Sequence, residues 1–163
     1  MRLTTRTNLA LRTLMVCAIN AGRTVRKHEI AEACNASENH LAQVINTLSQ
    51  LGYVNTTRGR HGGLQLARAP EEVRIGQVFR AFEAGVPFTE CFEPEANTCP
   101  LTTVCRLRLA LVDALEAFYG SLDRYTLFDM IDDNTGLRQL LEFPTAAPAA
   151  AVPCNRRAAN GAA

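Results

Sequence analysis

Residues 28–52 constrain the fold more than any other stretch of the chain. The segment HEIAEAC is followed by the turn NA, and Ser37 then stands where a helix N-cap belongs, ahead of ENHLAQVINTLSQLG. In the second segment apolar side chains recur at helical spacing, so one face can be buried while the other is polar. Gly52 supplies a C-terminal stop. Two helices joined by a tight turn predict a helix-turn-helix.

The polar face of the second helix carries groups that suit the edges of DNA bases. Gln and Asn can pair bidentately with adenine, and His can donate or accept a hydrogen bond. We therefore expect this helix to enter the major groove of double-stranded DNA. The residues expected to contact DNA from this segment are Ser37, Asn39, His40 and Gln43.

A glycine-rich basic hairpin follows the helix-turn-helix. The β-prone runs YVNTT and LQLAR flank the connection RGRHGG. Glycine allows the backbone to approach another surface closely, and basic side chains can hold phosphates or reach into the minor groove. A solvated hairpin is the plain alternative, but its position favours a DNA-binding wing. The residues expected to contact DNA from the wing are Arg58, Arg60, His61 and Gly62.

The formal net charge of +1 conceals an asymmetry between the two halves of the chain. Residues 1–80 carry 11 Lys and Arg against 5 Asp and Glu, a net charge of +6, whereas residues 81–163 carry 6 against 11, a net charge of −5. A basic half joined to an acidic half is typical of a nucleic-acid reader attached to a sensing or oligomerising part. Charge alone specifies neither function.

Apolar periodicity predicts further helices outside the helix-turn-helix. They cover residues 11–19, with a stop near Gly22, residues 70–83, and a long stretch over 107–122. The long helix is apolar on two nearly opposite sides and must be covered twice, so we predict a homodimer across it. Residues 125–141 form a shorter helical region. The expected fold class is mainly α with a small β-hairpin wing, as a winged helix-turn-helix plus a long dimerisation helix.

The predicted organisation has four parts. They are a winged helix-turn-helix DNA-binding domain at 1–83, a cysteine loop at 84–106, a dimerisation helix with a C-terminal helical region at 105–142, and a disordered tail at 143–163 that is rich in Ala and Pro. No apolar run approaches the roughly 18 residues that a membrane span needs, and the N-terminus lacks the apolar core of a signal peptide. We therefore expect a cytoplasmic protein without a membrane partner.

Three of the six cysteines crowd one polar loop. Cys91, Cys99 and Cys105 lie within 15 residues, whereas Cys17 and Cys34 fall in helical patterns and are expected in the core. Cytoplasmic thiols are kept reduced, so clustered cysteines bind metal or act in redox chemistry more often than they form disulfides. Cys105 precedes the long helix, where the partial positive charge of a helix start favours a thiolate.

Several kinds of centre are compatible with this loop. Structural zinc usually has four protein ligands, often in CxxC pairs, which the loop lacks. An iron-sulfur cluster held by three thiolates needs one more ligand or an iron left open. A thiol that senses oxidants needs no metal. A thiol redox enzyme is disfavoured, because all three histidines lie in the predicted DNA-binding half and the sequence has no CxxC, so we expect no enzymatic activity.

The order of elements and several segments resemble the dimeric winged-helix iron-sulfur repressors, a family that includes NsrR, IscR and RirA. The resemblance covers residues 1 to about 142 and rests on MRLTTRTNLALR, SENHLAQVINTLSQLGYV, RGRHGGLQLA, IGQVFRAFE and the three-cysteine loop. It implies a homodimeric repressor that binds a palindromic operator. It also implies an iron-sulfur cluster on Cys91, Cys99 and Cys105, with [4Fe-4S] preferred to [2Fe-2S].

The effector implied by the resemblance depends on finer features. The x7 and x5 cysteine spacing is similar to that of NsrR and RirA, and YTLFDMIDDN is most similar to NsrR, which implies nitric oxide. In some NsrR proteins an Asp of the partner subunit completes the cluster, and Asn8 holds the matching position here. An amide oxygen is a poorer iron ligand than a carboxylate, and RirA-like repressors also lack that acid. Iron sensing and cluster-free thiol redox sensing therefore remain alternatives to nitric oxide sensing.

Overall fold

The computed structural model describes residues 4–60, 62–83, 85, 87–93, 95 and 97–144. The predicted tail from residue 145 onward, including Cys154, lies outside the described residues. Within them the mainly α fold with a small hairpin is confirmed. The elements are α1 (Thr5–Ile19), α2 (Lys27–Ala33), α3 (Glu38–Gln50), β1 (Val54–Thr57), β2 (Gly63–Leu66), α4 (Ile75–Glu83), α5 (Arg106–Leu122), α6 (Leu127–Ile131) and α7 (Thr135–Leu141).

Helix α1 lies at the centre of the core. It packs against α3, α4, α6, α7 and β2, and Leu14 and Val16 are fully buried. Burying side chains of this size stabilises the fold by about 1.5–3 kcal/mol each. The buried hydroxyl of Thr13 donates to the Leu9 carbonyl at 2.8 Å, which removes the cost of an unpaired polar group.

The helix-turn-helix forms where the sequence predicts it. Ser37 is the N-cap residue of α3, and the buried face of this helix consists of Leu41, Val44, Ile45 and Leu48. Asn35 adopts φ +46° in the turn before α3, a conformation that Asn tolerates better than most residues. Gly52 adopts φ +70° just after the helix and so ends it. Apolar burial on one side therefore leaves the opposite side of α3 in solvent.

The wing is an antiparallel hairpin whose second strand is bonded to the segment before α2. The ladder pairs Val54 with Leu66 and Thr57 with Gly63. Leu64 is buried and exchanges two backbone hydrogen bonds with Val25, at 2.9 and 2.7 Å. The second strand is thus bonded to the segment that precedes α2, close to the turn of the hairpin.

The prediction of one continuous helix over 70–83 is wrong. Pro70–Glu72 form a single 3-10 turn, and the chain is extended at Val73, with φ −93° and ψ 99°. Val73 is fully buried, and its carbonyl accepts a hydrogen bond from the Leu127 amide at 2.8 Å. A backbone bond to α6 therefore replaces the helical bond that local propensity favours, and α4 begins only at Ile75.

Helices α4 and α5 meet at a polar joint. Arg80 binds both carboxylate oxygens of Asp123, at 2.8 and 2.7 Å, and its guanidinium lies 4.8 Å from the Tyr119 ring centroid. The ion pair is partly exposed and contributes about 0.2–1 kcal/mol. Gly76 lies directly against Asp123, where a Cβ would fall 2.9 Å from the Asp123 backbone nitrogen. This contact brings the start of α4 directly against the end of α5.

The long helix α5 is poorly covered. None of its 17 residues is buried, and Leu107 and Leu109 are 66% and 60% exposed. Their side chains point in nearly opposite directions around the helix, as the sequence pattern predicts. Within the described residues, no helix is long and apolar enough to cross a membrane.

The close contact between Gly76 of α4 and Asp123 at the end of α5 leaves no room for a side chain at position 76. We expect Gly76→Ala to lower the free energy of unfolding by about 1–3 kcal/mol, because the added methyl must push Asp123 and its backbone away. Urea denaturation followed by circular dichroism measures the change. Gly136→Ala is the matched control, since nothing lies within 4 Å of its Cβ position, and it should leave stability unchanged or raise it. Equal stability of both variants would show that the joint tolerates a side chain.

The buried cysteines should be chemically inert. Burial, with a smaller effect of nearby Cys34, raises the pKa of the Cys17 thiol to about 12, so this group stays protonated at pH 8. We expect iodoacetamide to leave Cys17 unmodified in the folded, metal-free protein and to modify Cys91 and Cys105, as measured by mass spectrometry of the digested chain. Unfolding in guanidinium should equalise the labelling. Rapid labelling of native Cys17 would contradict its placement in the core.

Candidate nucleic-acid interface and cysteine loop

The outward face of α3 brings together the residues predicted to read DNA. Asn39, His40 and Gln43 are exposed on the first two turns of the helix. Ser37 is also exposed, and its hydroxyl makes no capping bond to the helix, so it is available to an external partner. Their common exposure follows from the burial of the opposite face. The amide, imidazole and hydroxyl groups therefore form one continuous polar surface.

The wing adds positive charge beside α3. Arg58 and Arg60 are exposed in the hairpin turn, whereas His61 lies outside the described residues. The Gly62 amide donates to the Gly59 carbonyl at 2.9 Å, and a Cβ on Gly62 would collide with the Thr57 carbonyl. A glycine is therefore required for the turn to close.

A groove separates the wing from α3. It has a volume of about 320 Å³, and its lining includes Ala42, Ile45, Thr56 and Gly62. Of the wing residues predicted to contact DNA, the structure thus places Gly62 beside the recognition helix.

The start of α3 carries one acidic residue, and its charge is neutralised. Glu38 forms an ion pair with Lys27 at 2.9 Å. This hydrogen bond and charge hold the pKa of the Glu38 carboxyl below its usual range. Because the pair is exposed, its role is to cancel charge more than to add stability. The carboxylate of Glu38 therefore adds no uncompensated negative charge beside the polar face of α3.

The three loop cysteines lie between α4 and α5. Cys91 lies in the 3-10 turn Glu90–Phe92, and Cys105 is the N-cap residue of α5. All three thiols, including Cys99, are free and half-buried. The Sγ of Cys105 accepts a hydrogen bond from the Arg108 amide at 3.4 Å, and the Sγ of Cys91 lies 3.1 Å from the Thr89 hydroxyl oxygen. The three thiols are thus partly accessible to solvent.

Arg108 connects the first cysteine to the helix that carries the last one. Its Nε donates to the Cys91 carbonyl at 3.1 Å, and its guanidinium lies 5.8 Å from the centroid of the Phe92 ring. The positive charge lies where thiolates would bring negative charge. Sequence reasoning missed this residue, and the one available signal is its position three residues after Cys105, in the first turn of α5.

The middle of the loop is held by its own hydrogen bonds. Glu90 accepts bonds from the Thr98 amide and hydroxyl at 2.6 and 2.7 Å, and these bonds lower the pKa of its carboxyl. The Cys99 carbonyl accepts a bond from the Thr102 hydroxyl at 2.8 Å. Among the described residues, no three His, Cys, Asp or Glu side chains converge closely enough to hold a single metal ion.

Asn8 lies apart from this loop along the chain, on the exposed side of α1.

A glutamate at the end of α4 connects the beginning of the loop to the start of α1. Glu83, the last residue of α4, accepts hydrogen bonds from the Thr4 amide at 3.1 Å, the Thr4 hydroxyl at 2.9 Å and the Thr7 hydroxyl. Sequence reasoning missed Glu83 because its partners lie more than 70 residues away. One carboxylate thus joins the DNA-binding half to the point where the cysteine loop begins.

Known proteins match most of this chain. The family model described as "Rrf2: Iron-dependent Transcriptional regulator" matches residues 3–133. The HTH-type transcriptional regulator NsrR of Geobacillus kaustophilus (strain HTA426) is 46% identical over 143 residues, which cover 87% of this chain and 97% of that protein. NsrR of Bacillus subtilis (strain 168) is 41% identical over 143 residues, covering 87% of this chain and 98% of that protein.

Solved structures agree with the fold. The structure titled "T. potens IscR" has a TM-score of 0.66 and 25% identity, and covers 83% of this chain and 90% of its own. The relatives are transcriptional regulators, which confirms a DNA-binding repressor class and the expectation that the protein is not an enzyme. The matched length, the identities and the shared winged helix together lead to one conclusion: the chain belongs to the Rrf2 family of transcriptional regulators.

Proposed function

We propose that this repressor binds a palindromic operator as a homodimer, and that an iron-sulfur cluster on Cys91, Cys99 and Cys105 controls the binding in response to nitric oxide. The observation that carries the proposal is the position of three free, half-buried thiols in one loop whose last member caps α5. The sensing centre would therefore adjoin the helix expected to form the dimer. The relatives named NsrR support nitric oxide as the effector.

The donor set fits a cluster, because iron-sulfur clusters are normally held by cysteine thiolates. The loop supplies three cysteine sulfurs, and the Arg108 guanidinium beside the Cys91 carbonyl would offset part of the negative charge of bound thiolates. Three protein ligands leave one iron of a [4Fe-4S] cluster open, so we prefer this type to [2Fe-2S]. Such a cluster would supply iron with which nitric oxide reacts.

The residues around the loop provide two connections to the rest of the protein. At its far end, Cys105 and Arg108 join the loop to α5. At its near end, Glu83 joins the loop to Thr4 and Thr7 of the DNA-binding half. A change in loop conformation would alter both connections, and thereby the orientation of α3 relative to the partner's α3.

Iron sensing is the second candidate, and one residue favours it. Position 8 carries Asn, whose neutral amide is a weaker iron ligand than a carboxylate. The Asn8 side chain is exposed on α1 and is free to reach a partner subunit. A cluster lacking a fourth protein ligand would release iron more readily, which suits a protein that reports on iron supply.

The cluster assignment predicts a specific chemical content. Anaerobically purified protein should contain about four iron and four sulfide per protomer, and Cys91→Ser, Cys99→Ser and Cys105→Ser should each lose most of both. Cys154→Ser is the matched control, because this cysteine lies outside the loop, and it should keep the wild-type content. Iron, sulfide and visible absorbance are measured together with binding to a duplex selected by the protein from a randomised pool.

Titration of the same samples distinguishes nitric oxide from iron and from oxidants as the signal. Nitric oxide at a few molecules per cluster should abolish operator binding. Release of DNA by a mild iron chelator, without a response to nitric oxide, would favour the iron-sensing candidate. Colourless protein whose DNA binding responds to peroxide would replace the cluster with thiol redox sensing.

The homodimer predicts the effect of a charge on α5. Leu109→Glu places a carboxylate on the proposed interface, so sedimentation velocity should show a monomer where the wild type is a dimer. Operator affinity should fall at least about tenfold, because the second half-site is no longer held by the same particle. Leu51→Glu changes another exposed leucine, at 37% exposure in the winged helix, and should remain dimeric. A dimeric Leu109→Glu protein would place the interface elsewhere.

A further inference from the structure

A second groove borders the recognition helix on the side away from the wing. It lies between α1 and α3, with a volume of about 260 Å³. Leu9 and Val44 are buried and form its apolar floor. Its rim is polar and exposed, and consists of Thr5, Arg6, His40 and Gln43.

We propose that this groove receives the sugar-phosphate backbone of the operator. Arg6 would then be a phosphate contact that lies outside both the helix-turn-helix and the wing. His40 would face the backbone, in place of the base contact expected from the sequence. The inference rests on DNA binding through α3, and it adds a third contact region to the recognition helix and the wing.

The position of α3 supports this assignment. A helix lying in a major groove about 12 Å wide is bordered on both sides by phosphate backbones. One flank of α3, with Ala42 and Ile45, faces the wing. The other flank, with His40 and Val44, faces the start of α1. If the wing meets one strand, the groove beside α1 lies where the other strand must pass.

The charges around the groove favour a polyanion. Arg6 is exposed, and no hydrogen bond or ion pair to another described residue holds its side chain. Among the described residues, no acidic side chain lines the groove. Glu38 is paired with Lys27, on the flank that faces the wing. Glu83 is bonded to Thr4 and Thr7, which lie about 160° and about 100° around α1 from Arg6.

The floor and rim match the two parts of a nucleotide backbone. Deoxyribose presents carbon and hydrogen atoms that can pack on Leu9 and Val44, while a guanidinium binds phosphate through two parallel hydrogen bonds. Gln43 belongs both to the groove rim and to the outward face of α3. Backbone and base contacts would therefore meet at this residue.

The test compares three charge-neutralising variants of the full-length, anaerobically purified protein. Arg6→Gln removes the proposed contact, Arg60→Gln removes a wing charge, and Arg124→Gln is the control, because Arg124 is exposed near the end of α5. Fluorescence anisotropy measures binding to the selected duplex and to a scrambled duplex of equal composition, at several salt concentrations. Thermal unfolding verifies that each variant is folded.

The expected result for Arg6→Gln is a loss of affinity by the same factor for both duplexes. The slope of log affinity against log salt should fall by about 2 per dimer, since each phosphate contact contributes about 0.9. His40→Gln should likewise weaken both duplexes equally, whereas Asn39→Ala should reduce discrimination between them. Arg124→Gln should bind both duplexes as the wild type does.

Three results would overturn the inference. If Arg6→Gln matches Arg124→Gln while Arg60→Gln loses affinity, the groove does not hold DNA although the proposed function stands. Loss confined to the selected duplex would make Arg6 a base contact and would contradict the backbone assignment. If the wild type enriches no duplex from the randomised pool, the proposed function and this inference both fail.

Discussion

The packing of α1 is the constraint on which the rest of the structure depends. Five other elements lie against it, and small side chains, Ala10, Cys17 and Ala18, allow these neighbours to come close. Polar groups complete the same contacts. Arg12 donates to the Cys34 carbonyl at 3.0 Å, and Asn20 donates to the Leu141 carbonyl at 2.7 Å. One helix thus holds both the DNA-binding half and the last helix of the described chain.

This arrangement explains why α1 can serve two regions at once. Its first turn carries Arg6 beside α3, and its Thr4 and Thr7 hydrogen bond to Glu83 where the cysteine loop begins. Under the proposed function, a shift of Glu83 would therefore be transmitted through α1 to the groove beside α3. The charge asymmetry of the chain follows the same division: the basic half contains the proposed DNA contacts, and the acidic half contains the cysteine loop and α5.

Periodicity was sufficient to predict most of the fold from the sequence. The helix-turn-helix follows from apolar spacing and from Ser37 and Gly52, which act locally and so leave local signals. The break at Val73 left no such signal, because the bond that causes it comes from Leu127, more than 50 residues away. Proline and two acids at 70–72 look like an ordinary helix start, and tertiary hydrogen bonding overrode that preference.

The candidate site was predictable to a similar degree and for the same reason. Cysteine spacing and exposed polar groups are visible in the sequence, so the three thiols and the face of α3 could be named in advance. Arg108 and Glu83 act through the Cys91 carbonyl and the start of α1, and contacts with distant backbone leave no pattern in the sequence. The groove beside Arg6 was missed because it exists only once α1 and α3 are packed.

The joint between α4 and α5 has a mechanical consequence. At its C-terminal end, α5 is held by the ion pair of Arg80 with Asp123 and by the close contact of Gly76 with Asp123. At its N-terminal end it is capped by Cys105. With 17 residues the helix is about 25 Å long, so a sideways movement of about 2 Å at Cys105 tilts it by only about 5°. In such a movement α5 would pivot about its C-terminal end, beside the winged helix. In the proposed dimer, an ångström-scale rearrangement of the loop would become a small rotation there, and it would alter how the two recognition helices match half-sites of fixed spacing on DNA.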